Sequence, residues 1–323
     1  MSMTQRYYDL LPKKEIKSDS FLKISRITLS FYHYFALEDP QYFRDQLHRV
    51  FTALHILGRI YVAFEGINAQ ISVPRIYFNK FRTTLYKFHP QLKDIRINVA
   101  LENNNNSFSK LRLKVRKKIL ADGINDPNFN PKNVGYYLKA EEVNAMMADP
   151  QVLLIDVRNH YEYEIGHFDR AIEIPSNTFR EKLLMVVERL KNKKDKKIIL
   201  YCTGGIRCEK ASAWMRYNGF KNVFQIDGGI IGYVRRAWKK KLPVRFIGKN
   251  FVFDERLSER VTTDIISHCR QCNSLCDRYV NCYNQQCNLL FIQCNICTKN
   301  YLNCCSVLCK EKIFFPVSLK ERL

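Results

Sequence analysis

The sequence predicts a multidomain protein of mixed class: an α+β unit, then an α/β unit with a parallel sheet, then a Cys-rich module. Three observations carry that prediction. Residues 24–101 run strand, helix, strand, strand, helix, strand; residues 148–240 alternate apolar strands with helices; and ten of the 12 cysteines fall between Cys269 and Cys309. With 323 residues, 46% of them hydrophobic, the chain has the length and apolar content of two or three packed domains, which excludes disordered, collagenous and coiled-coil classes. No run approaches the ~20 apolar residues of a bilayer crossing. Residues 1–17 mix acids and bases without an apolar segment, so a soluble, cytoplasmic protein without a membrane partner is expected.

In the first unit, strands are expected at 24–35, 59–63, 69–73 and 95–101 from their β-branched and aromatic content, and helices at 40–57 and 74–88, each opened by a proline. Residues 64–68, Phe-Glu-Gly-Ile-Asn, are read as the turn between the middle strands. This order is that of a split βαβ unit and predicts a ferredoxin-like domain over residues 21–122, preceded by an N-terminal extension at 1–20. Residues 123–147, rich in Asn, Asp and Pro, read as a linker ending in a short helix. The α/β domain is expected at 148–240. Its buried strands are Val152 to Val157 and Lys197 to Tyr201, and helical spacing falls at 183–190 and 209–218. Residues 241–323 form the Cys-rich module, with few regular elements expected.

A surplus of 53 Lys and Arg over 31 Asp and Glu gives a net charge of +22 and points to a polyanionic partner, nucleic acid before membrane. The first third is the most basic. There, residues 110–118 (Lys-Leu-Arg-Leu-Lys-Val-Arg-Lys-Lys) alternate basic and apolar side chains as a strand with one cationic face, suited to a phosphate backbone through Lys114, Arg116, Lys117 and Lys118. Two plainer accounts stand beside it: an edge strand guarded by lysines against aggregation, and the Lys-, Asn- and Ile-rich drift of an AT-rich genome.

Cys202-Thr-Gly-Gly-Ile-Arg207 carries the strongest chemical signal, placed between a buried strand and a helix. Backbone N–H groups and a helix N-terminus converge on a cysteine at such a junction and favour its anion. A free thiol titrates near ~8.5, and lowering it by about two units takes ~2.7 kcal/mol, within reach of a helix end plus Arg207. Asp156-Val-Arg158, Glu162-Tyr163, Gly166-His167, this loop and Asp227-Gly-Gly229 together resemble the rhodanese family over about residues 148–240. The resemblance implies a persulfide on Cys202 and an anion cradle closed by Arg207. Related phosphatases have a loop one residue longer, so phosphate-ester hydrolysis is disfavoured. Asp156, Arg158 and His167 are read as braces. Cys208 is either a resolving thiol or a small buried residue.

In the Cys tract, Cys269-x2-Cys272 and Cys294-x2-Cys297 stand 21 residues apart, the spacing of a four-thiolate zinc site. Cys282, Cys287, Cys305 and Cys309 can form a second, interleaved site that leaves Cys276 and Cys304 over. An iron–sulfur cluster and simple reduced thiols are the alternatives to structural zinc.

Residues 65–72, 156–164, 201–214 and 246–256, with the Cys tract, are similar to the family of bacterial tRNA wobble-uridine hydroxylases over nearly the whole chain. That resemblance implies hydroxylation of tRNA uridine to 5-hydroxyuridine, molecular oxygen as co-substrate, and the loop cysteine as the key residue. The chain carries neither a dinucleotide fingerprint nor a His-carboxylate iron triad, so the oxygen chemistry rests on the resemblance. A persulfide sulfurtransferase acting on tRNA or a sulfur carrier is the alternative the loop alone supports. An RNA-binding protein with a retired rhodanese domain is disfavoured by the intact loop.

Overall fold

The computed structural model describes residues 25–102 and 106–314. The expected N-terminal extension at 1–20 lies outside the described residues. The first unit holds β1 (Arg26–Tyr34), α1 (Pro40–Ala53), β2 (Leu57–Ala63), β3 (Gly66–Pro74), α2 (Phe78–Phe88), β4 (Asn98–Val99) and β5 (Leu111–Val115). Its sheet has the order β4-β1-β3-β2-β5. The first four strands give the expected ferredoxin-like arrangement, and β5 adds a parallel edge beside β2. Strand alternation decides the faces. Ile27, Leu29 and Phe31 of β1, with Ile60, Val62, Ile67 and Ile71, pack under Phe43, Leu47, Phe51, Phe81 and Leu85 of the two helices. Thr28, Ser30, Tyr32 and Tyr34 therefore point to the face without helices.

Three expected boundaries shift. The Asp39 side chain caps α1 at the Tyr42 N–H (2.9 Å), but the helix stops at Ala53 rather than near Leu57, because His55 takes a left-handed φ of 52° and Leu57 enters β2. The β2–β3 turn is only Phe64 and Glu65; Ile67 and Asn68 already pair with Val62 and Tyr61. Of the expected strand 95–101, only Asn98 and Val99 pair, against Ser30 and Leu29.

The second unit contains β6 (Tyr136–Leu138), α3 (Ala140–Met147), β7 (Leu153–Asp156), α4 (His160–Glu164), β8 (Gly166–Phe168), β9 (Ile172–Glu173), α5 (Phe179–Leu190), β10 (Lys197–Tyr201), α6 (Ile206–Tyr217), β11 (Asn222–Ile226) and α7 (Gly229–Lys240). The sheet β6-β11-β10-β7-β9 is parallel throughout. Helices α5 and α6 cover one face through Leu183, Val186, Ala211 and Met215; α3 and α7 cover the other through Val143, Met147, Ile230 and Val234. Residues 136–147, read as the end of a linker, thus belong to this layered unit, because Leu138, Val143 and Met147 are buried in its core.

Beyond Lys240 the chain is more regular than expected. It forms β12 (Phe246–Phe251), β13 (Ser258–Arg260), β14 (Tyr279–Asn281), β15 (Leu290–Ile292), α8 (Asn295–Tyr301) and α9 (Val307–Phe314). The elements are too short to show a period in sequence. Strand β12 pairs with β8 of the second unit, and β14 with β15. Among the described residues, no helix is long and apolar enough to cross a membrane.

Side chains join the three units. Lys210 of α6, almost buried, reaches Glu65 (2.6 Å) and Asp122 (3.0 Å); Tyr34 Oη donates to the Ile206 carbonyl (3.3 Å); Glu259 accepts from the Leu101 N–H (2.9 Å). These contacts place the helix-free face of the first sheet over the carboxyl end of β10, the end where open α/β sheets carry their sites.

Candidate active site at the cysteine loop

Buried strand β10 delivers Cys202 to the N-terminus of α6, and Gly205 turns the chain between them with φ 108°. A side chain at Gly205 would also strike the Tyr32 hydroxyl at 2.6 Å. From behind, the N-terminal turn of α7 holds the loop: Ile230 N–H donates to the Cys202 carbonyl (2.9 Å) and Ile231 N–H to that of Thr203 (3.2 Å). Gly229, with φ 63°, lies so close that a Cβ would meet the Cys202 carbonyl oxygen at 2.5 Å, which gives Asp227-Gly-Gly229 its local reason.

The Cys202 sulfur is 1% exposed and accepts from the Gly205 N–H at 3.2 Å. Burial on its own pushes the thiol up. The Cys208 thiol, the Arg207 charge and the N–H groups of Cys208 and Gly205 overcome it and bring the Cys202 pKa down to about 6, so the sulfur is anionic at neutral pH. Cys208 is buried, and burial together with the neighbouring Cys202 sulfur pushes its thiol up; it stays protonated and serves as the donor.

Arg207 sits beside the loop as a charge rather than reaching freely into it. Its guanidinium is paired with both carboxylate oxygens of Glu162 (2.5 and 2.8 Å) and with Thr203 Oγ1 (3.2 Å). Glu162, fully buried on α4, is therefore the residue that fixes the cradle. The braces behave as read: Arg158 pairs with Asp156 (2.7 Å) and donates to the Gly166 carbonyl (2.6 Å), both side chains buried, and His167 stacks on Tyr163 with ring centres 3.9 Å apart.

Above the sulfur lies a cavity of about 390 Å³, bounded by the loop, by Phe253 and Arg256, and by the helix-free face of the first sheet. Sequence reasoning did not single out the residues of this roof. Asn98 Nδ2 donates to the Gly204 carbonyl (3.1 Å), and Tyr32 Oη donates to Glu209 (2.9 Å), which also accepts from Tyr137 Oη (3.0 Å). Burial pushes the Glu209 carboxyl up despite those two bonds. The available signal was the polar set Thr28, Ser30, Tyr32 and Tyr34 alternating with the apolar core positions of β1.

On strand β5, Leu113 is buried while Arg112 and Lys114 are exposed, as are Arg116 and Lys117 beyond it. Lys118 differs from the expected group: its ammonium is bound to Asp122 (2.5 Å) and the Ile124 carbonyl (2.6 Å) and braces the following turn. The strand is also an edge, so both the phosphate-binding and the edge-guarding accounts remain compatible with its position.

The Cys tract forms two groups. Sulfurs of Cys269, Cys272, Cys294 and Cys297 lie within 4.8 Å of one another, as do those of Cys282, Cys287, Cys305 and Cys309. A tetrahedral zinc with Zn–S bonds of about 2.3 Å sets its sulfurs about 3.8 Å apart. The separations Cys272–Cys294 (3.6 Å), Cys287–Cys305 (3.7 Å) and Cys305–Cys309 (3.7 Å) fit that geometry. Backbone N–H groups of Cys294 and Cys305 donate to Cys269 and Cys282, the contacts that steady ligating thiolates. Cys276 and Cys304 are buried outside both groups.

Three family models match the chain: the UPF0176 acylphosphatase like domain at residues 26–119, the rhodanese-like domain at 139–236 and the rhodanase C-terminal domain at 247–310. A tRNA uridine(34) hydroxylase of Sodalis glossinidius is 64% identical over 91% of this chain and 84% of its own length. Proteins of the same name from Escherichia fergusonii (57% identical, 92% of this chain, 85% of theirs) and Hamiltonella defensa (58%, 89% and 81%) are similar as well.

Proposed function

The chain belongs to the family of tRNA uridine(34) hydroxylases, and from that premise we propose that it converts the wobble uridine of tRNA to 5-hydroxyuridine with Cys202 as the reacting sulfur and molecular oxygen as co-substrate. The observation that carries the role of Cys202 is its low pKa at the floor of the interdomain cavity. A thiolate can add to C6 of a uracil, the electrophilic carbon, and so enrich the neighbouring C5 in electrons; once C5 carries its oxygen, loss of the C5 proton breaks the C6–S bond, restores the C5=C6 double bond and returns the Cys202 thiolate. Replacing C5–H by C5–OH takes one atom of O₂; the other leaves as water with two protons and two electrons from a reductant. Arg207 and Glu162 keep the loop charged and fixed. A 390 Å³ space admits one base and not a duplex, so the nucleotide enters splayed out of its loop. Zinc in the two Cys groups would hold the C-terminal module together rather than take part in the chemistry.

Incubating the protein with unmodified tRNA under labelled oxygen gas tests the reaction class, with nucleosides read by mass spectrometry. One labelled oxygen atom in hydroxylated uridine is expected. Unlabelled nucleosides, together with labelled persulfide sulfur appearing in tRNA, would establish sulfur transfer instead.

The tRNA partner also gives the cationic strand an expected result. Lys114, Arg116 and Lys117 changed together to Ala should weaken tRNA binding and lower the slope of log K against log salt by roughly 0.7 to 0.9 for each phosphate no longer neutralised. Lys118→Ala should lower the melting temperature instead, since it removes a partner of buried Asp122. An unchanged salt slope in the triple variant would return β5 to the edge-guarding account.

A further inference from the structure

The strand registers align one row of side chains across all five strands of the helix-free face. Asn98 on β4 stands opposite Ser30 on β1, Ser30 opposite Gln70 on β3, Gln70 opposite Arg59 on β2, and Arg59 opposite Arg112 on β5. The row starts at the cysteine loop, where Asn98 Nδ2 donates to the Gly204 carbonyl, and the first four of its members line the cavity above Cys202. Its chemistry changes along its length, from uncharged amide and hydroxyl groups near the sulfur to two guanidinium groups at the far edge.

We infer that this row is the base-reading surface of the enzyme, with the Gln70 amide pairing with the Watson–Crick edge of a splayed-out uracil while the opposite edge faces Cys202. The inference rests on the hydroxylase reading above and adds the residue that selects the base. In a uracil, N3–H lies across the ring from C6, so a group that reads N3 must stand one ring away from the sulfur that addresses C6. Gln70 is two strands from the loop-bound Asn98, about 9.6 Å at the usual strand spacing. That backbone span, measured from the residue bonded to the loop, is on the scale of a pyrimidine with a contact at each end, and Gln70 and Cys202 line the same cavity.

The amide is also oriented. Gln70 Nε2 donates to Asn68 Oδ1 (2.9 Å), and Asn68 Nδ2 is in turn directed at the Ile119 carbonyl (3.3 Å). Held this way, Gln70 presents its oxygen as an acceptor for N3–H and its second amide hydrogen to a ring carbonyl. Cytosine offers an acceptor at N3 and is rejected unless the amide turns over and leaves Asn68. Beyond Gln70, Arg59 is anchored on the Phe253 carbonyl and leads to Arg112, where the backbone phosphates of the bound strand fall.

Binding of the full-length protein to anticodon stem-loop RNA hairpins carrying either uridine or cytidine at the wobble position tests this. The wild type should prefer the uridine hairpin by roughly ten-fold, the scale of one bidentate base contact. Gln70→Ala should bind the two hairpins equally, with the salt slope and the Cys202 thiolate absorbance profile unchanged, which reports an intact fold and loop. Gln70→Glu keeps an acceptor for N3–H but loses the amide hydrogen offered to the ring carbonyl, so it should bind the uridine hairpin more weakly than the wild type. Retention of the wild-type preference in Gln70→Ala, or equal binding of both hairpins by the wild type, would overturn the assignment. The oxygen-labelling result for wild-type protein on tRNA is independent of either outcome, so a failure here is distinguishable from a failure of the hydroxylase reading.

Discussion

Cys202→Ser should abolish uridine hydroxylation, with a loss of at least about a thousandfold, while the protein should melt within a few degrees of wild type. The exchange removes little volume, and the hydroxyl still accepts from the Gly205 N–H, so the loop keeps its shape. What disappears is the anion. A serine hydroxyl stays neutral in a site that stabilises a thiolate at a pKa of about 6. The same value fixes the pH dependence: the reactive form dominates above pH 6, and activity falls as pH drops through 6 and the sulfur is protonated. Cys208→Ala removes the thiol donor and should move that acid limb upward, whereas Cys208→Ser retains a donor and should shift it less. Nucleoside mass spectrometry of tRNA from cells expressing each variant gives the activity, and the difference in thiolate ultraviolet absorbance between wild type and Cys202→Ser gives the titration. Full modification in Cys202→Ser cells would remove the loop from the active site.

The residues legible in the sequence were those whose chemistry is local. A cysteine between a buried strand and a helix, followed by two glycines and an arginine, constrains its own surroundings within six positions, and the C-x-x-C knuckles at Cys269 and Cys294 are likewise local, although each Cys group joins cysteine pairs 18 or more positions apart. The roof of the cavity is different. Ser30 and Asn98 meet the loop at Gly204, and Gln70 faces the same cavity, only because two domains dock, and nothing within residues 30–98 signals that partner. Arg207 shows the same limit, since its pairing with Glu162 joins positions 45 residues apart and turns an expected ligand arm into a fixed charge. Short strands escape sequence reasoning for another cause. Tyr136–Leu138 has three residues, too few for a period, and it is a strand because β11 offers it an edge. Lys118 reads as one more surface lysine until the burial of Asp122 supplies its partner.

Substituting serine for Cys294 and Cys297 together should unfold the C-terminal module and lower catalysis at a distance. Its interior cannot hold it closed unaided. The clusters beneath the tract are small and interleaved with cysteines, with Ile165, Phe251, Tyr279 and Ile292 as the other buried members of one and Phe291 of the other. A segment of this size needs a staple, and structural zinc supplies about 10 to 16 kcal/mol of folding free energy in isolated four-ligand modules. The connection to the active site runs through Tyr279. Its hydroxyl lies 2.7 Å from both the Tyr161 carbonyl and a Glu164 carboxylate oxygen, which share its one hydrogen, on the short helix that also carries Glu162, the partner of Arg207. Lys249 of β12 meanwhile bonds Asp277 at 2.9 Å and ties the module to the strand that pairs with β8. Loss of a metal held by these Cys groups would therefore loosen α4 and, with it, the charge that keeps Cys202 ionised. Metal analysis of protein purified without chelator should give two zinc ions per chain. Hydrogen exchange in the double variant should show loss of protection across residues 269–309, with a smaller loss in α4. Stoichiometric iron, or no metal in a fully folded tract, would overturn the zinc assignment; protection lost in the module with α4 and catalysis unchanged would sever the proposed link to the cysteine loop.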